Sequence, residues 1–526
     1  MDGGLASRAK SRIKRGKDTR RAHKPGGTTR PVTLRRRVDD SRSRRTLKRA
    51  EALQQWRLDS FGSCPEPTTG EIADWFQNLN VLVSDACSGE AIRSGAALMK
   101  LKRLLFYGEL GASEEATYLK AIHCSPLMER MCSFMHFENE LREQCLELLC
   151  VLSYLPIQRD LVAEMFQQMV VQCLTEVVAS SPPASAVKAM QILGSIATMH
   201  EKCHLLIHKS DAFRRICQRV VTCAELNNPI PKYASFAIMM ITGGEELGQE
   251  INMMDFIPAA EMLMTGLSNA ELHRDTLAHT AVAICNVTSP GPSASKAREM
   301  ITESNLFLQM MRGLESIQDE EALLYLMRSI RYITTEKDIL DELLEKGLAR
   351  SLNVQMTRDG ICSDLRRDLC EIANNLVMDS PPRLEILIKY NFLDIMGEYV
   401  MREDFSVKKM AVLVLANSAA VASDEIIRDY FANELIIKSF VKVLDSLDDA
   451  AAYYGVAGLN TILASGELTK QEWEDNHFAE MVEELGGRDG LDRLAIRENE
   501  DLSETAREVL NDFYDSKLDF ENFPPT

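Results

Sequence analysis

Apolar residues recur along most of the chain with the spacing of amphipathic helices. In the segment 365–378, Leu369, Ile372 and Leu376 follow the i, i+3, i+7 pattern of a buried helical stripe. Proline-containing turn clusters separate such segments, and no stretch shows sustained alternation of β-branched and polar residues. The pattern therefore predicts helices only, from about residue 90 to residue 515.

The predicted helices recur with a regular period. A pair of positions four residues apart, beside the buried stripe, can be aligned in successive helices. The pairs are Leu146/Cys150, Gln191/Ser195, Phe236/Met240, Val282/Asn286, Arg328/Tyr332, Glu371/Asn375 and Leu413/Asn417. Their first members lie 42 to 46 residues apart, within the range of armadillo and HEAT repeats. We predict an all-α fold, a right-handed armadillo-repeat solenoid of about ten repeats, with the pairs forming a ladder along a concave groove.

Composition agrees with a helical globular body. Of the 526 residues, 45% are hydrophobic, 26% are charged and only 6% are aromatic. Apolar runs are much shorter than the roughly 20 residues that cross a bilayer, so we expect no membrane segment. The 13 cysteines are scattered without zinc-ligand spacing. We therefore expect reduced cysteines, no metal and no cofactor.

Catalytic motifs are absent from the sequence. It contains no glycine-rich phosphate loop and no nucleophile–base motif, and its nine histidines are dispersed. We therefore expect a binding protein and not an enzyme.

Charge divides the chain into a basic arm and an acidic body. Residues 1–57 contain 19 Lys and Arg against five Asp and Glu, whereas the other 469 residues contain 41 against 73. Glycine and proline between residues 25 and 31 predict a flexible stretch, followed by a basic helix from about residue 33. Such an arm binds an acidic protein, acts as a localisation signal or binds nucleic acid. Because the acidic body repels nucleic acid, we expect a protein partner.

Three features together resemble the importin-α family of nuclear-import adaptors. The arm segments 12–18 and 32–37 are similar to that family's importin-β-binding segment. The stretch 481–514 is similar to its terminal repeat, most specifically at Gly490-Leu491-Asp492-Arg493-Leu494. Asparagine also recurs at the second ladder position, at Asn286, Asn375 and Asn417.

The resemblance implies partners, location and domain organisation. The arm would bind importin-β, and the C-terminal repeats would bind the nuclear export receptor of a protein that shuttles between cytoplasm and nucleus. The implied division is a basic arm at 1–57, a linker and first helix at 58–88, repeats at 89–515 and a tail at 516–526. The residues implied in importin-β binding are Arg12, Lys14, Arg15, Lys17, Arg35, Arg36, Arg37, Arg44, Arg45, Lys48 and Arg49.

The resemblance also implies a groove for basic localisation-signal cargo. In the family, Trp at the first ladder position stacks on Lys and Arg stems, and Asn at the second binds the peptide backbone. This chain has no Trp in the ladder. The implied cargo contacts are Phe236, Asn286, Arg328, Asp368, Glu371, Asn375 and Asn417. Phe236 is equally compatible with the core, and Glu371 with a solvated acid.

Two functions remain open from the sequence. The first is a nuclear-import adaptor that binds basic cargo in its groove and importin-β through its arm. The alternative is a non-transport armadillo scaffold, derived from importin-α, that has lost localisation-signal binding. The missing Trp ladder favours the scaffold, whereas the arm and the terminal repeat favour transport.

Overall fold

The structure is a computed structural model, and its regular elements are helical throughout the described residues. It describes residues 67–107, 111–137, 139–154, 159–223, 229–243, 251–265, 274–469 and 476–514. These fall into two compact units. The N-terminal unit comprises the described residues up to Gly313 and Ile317–Ser329, and the C-terminal unit comprises Leu314–Ser316 and the described residues from Ile330 onward. The predicted all-α class is confirmed.

Seventeen helices begin within the described part of the N-terminal unit. They are α1 Thr69–Gln77, α2 Leu79–Ala86, α3 Ala91–Tyr107, α4 Ala112–His123, α5 Leu127–Met135, α6 Glu140–Ser153, α7 Arg159–Met165, α8 Gln168–Ser180, α9 Pro183–Ala197, α10 Glu201–Lys209, α11 Ala212–Val221, α12 Ile230–Thr242, α13 Met253–Thr265, α14 Arg274–Thr288, α15 Ala294–Glu303, α16 Asn305–Ser316 and α17 Glu320–Ile333. The third helices of successive triplets, α3, α6, α9, α12 and α14, pack on one another in order. The second helices α5, α8, α11 and α13 form a parallel row.

The C-terminal unit repeats the same arrangement. After the 3₁₀ turn Lys337–Ile339 come α18 Leu340–Glu345, α19 Leu348–Met356, α20 Ser363–Val377, α21 Pro381–Ile388, α22 Phe392–Arg402, α23 Phe405–Val421, α24 Asp424–Ile426 with a π-helical turn Ile427–Phe431, α25 Glu434–Leu444, α26 Asp449–Thr469, α27 His477–Glu484, α28 Gly487–Ala495 and α29 Glu500–Phe513. The third helices α20, α23, α26 and α29 pack in succession, as do the second helices α22, α25 and α28.

Three helices per repeat and a period of 42 to 46 residues characterise armadillo repeats. The predicted armadillo-repeat class is therefore confirmed within each unit. The predicted boundaries at residues 57, 88 and 515 stay predictions, and the basic arm lies outside the described residues.

Side-chain caps fix where the long third helices begin. Asp404 accepts hydrogen bonds from the backbone N–H groups of Ser406 at 2.9 Å and Val407 at 3.2 Å, and so caps α23. Hydrogen bonds from the hydroxyls of Ser363 and Ser406 lower the pKa of Asp404 to about 2. Asn139 and Asn499 cap the third helices α6 and α29 in the same way. The starts of these three helices are therefore set by single polar residues.

Glycine permits α26 to pack closely on α25. A Cβ atom at Gly458 would lie 2.2–2.6 Å from ring atoms of Phe440, whose side chain is fully buried. We expect Gly458→Ala to destabilise the protein by about 1–3 kcal/mol, because overpacking outweighs the better helix propensity of alanine.

The control is Gly70→Ala in α1, where nothing lies within 4 Å of the new methyl group. That variant should be neutral or slightly stabilised. Thermal unfolding followed by circular dichroism compares the two, and equal melting temperatures would contradict the close packing of α26 on Phe440.

Candidate functional site

The ladder positions of the N-terminal unit lie on its third helices, but the first three pairs are enclosed by packing. The buried side chains are Leu146, Cys150, Gln191, Ser195, Phe236 and Met240. The Phe236 ring lies 5.8 Å from the ring of His279, and a Cβ at Gly194 would lie 3.1 Å from it. Of the two interpretations of Phe236, the structure supports the core position. These six side chains join neighbouring repeats and present almost no surface.

Charged side chains that the ladder alignment missed lie beside these positions. Lys188 on α9 contacts Glu143 at 2.8 Å and Glu147 at 2.9 Å, both on α6. Lys102 on α3 forms an ion pair with Glu147 as well. Burial would raise the pKa of Glu147, but Lys188 and Lys102 lower it below its usual range. The chain thus supplies its own lysines to these acids.

Two ladder residues of the N-terminal unit are half-buried. The Asn286 amide nitrogen donates to the backbone oxygen of Met239 at 3.3 Å and to the Thr242 hydroxyl at 3.2 Å, both on α12. The Arg328 guanidinium lies 5.8 Å from the centre of the Tyr325 ring on its own helix. The Asn286 amide therefore ties α14 to the preceding third helix.

A cavity of about 500 Å³ adjoins Asn286. Two neighbouring histidines on α10, His204 and His208, form part of its lining together with methionines of α13 and α15. Burial and the proximity of His204 lower the pKa of His208 to about 4, so His208 is uncharged at neutral pH.

A buried ion-pair cluster occupies the C-terminal unit. Arg331 on α17 contacts Asp368 at 3.0 Å and Glu371 at 2.7 Å, both on α20. The side chains of Arg331 and Asp368 are 4% and 0% exposed. Burial would lower the pKa of Arg331, but Asp368 and Glu371 raise it above its ordinary value. The two acids predicted to contact cargo are thus paired with an arginine of this chain.

The asparagines of the C-terminal ladder also donate hydrogen bonds to residues of the preceding repeat. The Asn375 amide donates to the Thr334 hydroxyl at 3.1 Å, and Asn375 is half-buried. The Asn417 amide donates to the side-chain oxygen of Asn374 at 2.7 Å, and Asn417 is fully buried. Asn375 and Asn417 therefore differ in solvent access although they occupy equivalent ladder positions. Of these two asparagines, Asn375 has surface available to a ligand.

An open acidic cavity of about 690 Å³ lies between α26 and α29. It is lined by acidic and tyrosine side chains, among them Asp449, Tyr453, Tyr454, Asp501, Glu504 and Glu508. Its chemistry suits a cationic ligand with an aliphatic stem.

The predicted importin-β contacts lie outside the described residues, and so their placement stays a prediction. They are Arg12, Lys14, Arg15, Lys17, Arg35, Arg36, Arg37, Arg44, Arg45, Lys48 and Arg49. Within the described ranges, no cluster of His, Cys, Asp and Glu could hold a metal ion. No helix among those described is long and apolar enough to cross a bilayer.

No protein-family profile matches the chain. Importin subunit alpha-5 of Arabidopsis thaliana is 23% identical over 149 residues, which are 28% of each chain. Importin subunit alpha-8 of the same plant is 29% identical over 108 residues, 20% of this chain and 24% of that protein. The chain thus spans about a quarter of the length of the curated relatives it matches.

One solved structure shares the fold over most of the chain. A crystal structure of an engineered protein has a TM-score of 0.62 at 17% identity, and covers 83% of this chain and 99% of its own. A designed armadillo repeat protein has a TM-score of 0.39 at 19% identity, and covers 47% of this chain and 97% of its own. The chain therefore has an all-α repeat fold of known type and a local sequence similarity to importin alpha subunits.

Proposed function

We propose that this chain is an armadillo-repeat adaptor of nuclear import. The observation that carries the proposal is its sequence similarity to two importin alpha subunits, in a chain built from stacked three-helix repeats. Repeats of this kind present long rows of third helices on which an extended partner segment can lie. The protein acts by binding other proteins and carries out no chemistry of its own.

The arm provides the second element of the proposal. Its 19 basic residues suit the acidic surface of importin-β, and charge complementarity accelerates such encounters. The C-terminal repeats would bind the nuclear export receptor, so that the protein shuttles between cytoplasm and nucleus. Deleting residues 1–57 should then reduce its nuclear fraction in cells.

Binding of a short basic localisation signal should be weak, roughly micromolar or worse. Each missing Trp removes about 0.5–2 kcal/mol of cation–π attraction, and 1.4 kcal/mol is a tenfold change in affinity. Arg331 already forms ion pairs with both Asp368 and Glu371. Asn375→Ala should weaken the remaining binding by about 0.5–1.5 kcal/mol, because the Asn375 amide, unlike that of Asn417, is partly accessible.

Fluorescence titration of a labelled basic peptide measures this affinity, and a peptide with Glu in place of each Lys is the control. The fully buried Asn417 offers a matched comparison, since Asn417→Ala should affect folding more than peptide binding. Nanomolar binding by the unmodified chain would contradict the expectation.

A specific observation favours a second candidate, a non-transport armadillo scaffold. In the Arg331–Asp368–Glu371 cluster, an arginine of the chain itself already pairs with the acids that a basic signal would need. A pull-down of the full chain with importin-β distinguishes the two functions. Retention of importin-β supports the adaptor, and absence of retention supports the scaffold.

A further inference from the structure

The cavity beside Asn286 is enclosed by five helices of the N-terminal unit. Its walls come from α10 and α15, from the last residues of α12 and α14, and from the start of α13. Its volume of about 500 Å³ falls within the range of roughly 300–1,000 Å³ that small-molecule sites occupy. The cavity is therefore large enough to hold a ligand.

The repeat pattern explains why the cavity exists. Among the described residues, α4, α7, α10 and α15 are the first helices of their repeats, and the repeat made of α13 and α14 has none. The cavity lies between α10 and α15, the first helices of the two flanking repeats. Residues 244–250, outside the described ranges, contain a single apolar residue, Leu247, and two glycines. Their sequence does not supply the apolar stripe of an amphipathic first helix.

Much of the cavity wall is apolar and adaptable. Ile241, Met253 and Ala297 line it and are between 1% and 8% exposed. Met300 lines it as well and is half-buried. Methionine side chains adjust to ligands of different outline, because they are unbranched and polarizable. These walls suit a ligand that is compact and mainly apolar.

Asn286 supplies a polar group of fixed orientation. Its amide nitrogen is used within the protein, since it donates to the backbone oxygen of Met239 at 3.3 Å and to the Thr242 hydroxyl at 3.2 Å. The amide oxygen is therefore the atom of this side chain that can accept a hydrogen bond from a ligand. The ring of His208 is uncharged at neutral pH and adds no competing charge to the wall.

The charge of the lining differs from that of the acidic body around it. Residues 58–526 contain 41 Lys and Arg against 73 Asp and Glu, whereas none of the described lining residues is an Asp or a Glu. Lys296, an exposed residue in the first turn of α15, is the one lysine or arginine among them. A cation in the cavity would meet no carboxylate, and an anion would be attracted by the Lys296 ammonium group.

We propose that this cavity is a binding site for a compact apolar molecule that carries one negative charge, such as an aromatic or aliphatic carboxylate. The apolar part lies against Ile241, Met253 and Ala297, and the charged group points toward Lys296. The ligand contacts the ends of α12 and α14 together, so its binding stabilises the stacking of these two helices. The site adds to the proposed adaptor function and does not depend on it.

The test titrates the full chain with anilinonaphthalene sulfonate (ANS), an apolar anion whose fluorescence rises when it leaves water. The unmodified chain should bind ANS saturably and should melt at a higher temperature when ANS is present. In a chain with isotope-labelled methionine methyl groups, ANS should shift the NMR signals of Met253 and Met300. The signal of Met169, an exposed methionine of α8, should not move. Absence of saturable binding, or a shift at Met169 alone, would overturn the proposal.

Gly291→Phe blocks the cavity with little risk to the fold. Gly291 is exposed and lines the cavity, and a Cβ atom there would meet only the backbone oxygen of Ser289, at 3.9 Å. The variant should weaken ANS binding about tenfold or more, because the added ring competes for the same space. The matched control is Gly70→Phe in α1, where nothing lies within 4 Å of the added carbon. Equal affinities of the two variants for ANS would place its binding elsewhere and overturn the proposal.

A neutral analogue of ANS, N-phenylnaphthylamine, tests the charge of the ligand separately. Lys296→Gln should weaken ANS binding about two- to fivefold, the size expected for an exposed ion pair, and should leave binding of the neutral analogue unchanged. Lys100→Gln removes the same charge from an exposed position on α3 and should alter neither affinity. An unchanged affinity of Lys296→Gln for ANS would overturn the preference for an anion.

Discussion

Arg331→Leu is expected to lower the free energy of unfolding of the C-terminal unit by about 3–5 kcal/mol. The substitution leaves Asp368, which is 0% exposed, without the cation 3.0 Å away. Removing the cation beside a buried carboxylate costs more than breaking an exposed contact, because the charge stays in a low-dielectric environment. Lowering the pH should reduce the difference in the free energy of unfolding between Arg331→Leu and the unmodified protein, since protonation of Asp368 removes the buried charge.

Chemical denaturation followed by circular dichroism measures this loss, and two further variants isolate its cause. Arg331→Leu combined with Asp368→Leu should recover most of the stability, because both buried charges are gone and Glu371 is 28% exposed. Arg383→Leu breaks the pair with Asp341, which is 73% exposed, and should cost less than about 1 kcal/mol. Equal losses in the two single variants would show that the Arg331 cluster behaves as an ordinary surface pair.

The helical class and the repeat period could be predicted because apolar periodicity reports burial directly. Leu369, Ile372 and Leu376, the residues that defined the stripe, are all fully buried. Each repeat needs a similar stripe to pack on its neighbours, so the period persists even where individual residues differ.

The pairing of charges could not be predicted in the same way. Arg328 occupies the aligned ladder position, yet Arg331, three residues later on the same helix, forms the buried ion pairs. Side chains three residues apart on a helix point about 60° apart. A ladder alignment does not resolve a helix rotation of that size. The acids Asp368 and Glu371 were identified, but their internal partner was not.

Access to the asparagines also depends on neighbours that the period does not reveal. Asn375 and Asn417 occupy equivalent positions on successive third helices, but only Asn417 is fully buried. The acceptor for Asn417 is an asparagine, Asn374, and the acceptor for Asn375 is the hydroxyl of Thr334. Local side-chain packing thus decides which amide a ligand can reach.

Reversing Arg35, Arg36 and Arg37 to Glu is expected to weaken importin-β binding at least a hundredfold, if the proposed role of the arm is right. Breaking a close interfacial charge pair costs about 2–5 kcal/mol, and reversal adds repulsion from the acidic partner. Each 1.4 kcal/mol corresponds to a tenfold change in affinity. Binding by the unmodified chain should also fall with added salt, because exposed charges are screened beyond about 8 Å at physiological ionic strength.

Isothermal titration calorimetry at two salt concentrations measures both effects. The matched control reverses Lys100, Arg402 and Lys438, three exposed residues of the repeats, and changes the net charge by the same amount without altering the arm. A loss of affinity in the arm variant alone places importin-β recognition at residues 35–37, because the two variants have the same net charge. Equal losses would mean that overall charge governs the encounter, and unchanged affinity in the arm variant would rule out this segment as the importin-β contact.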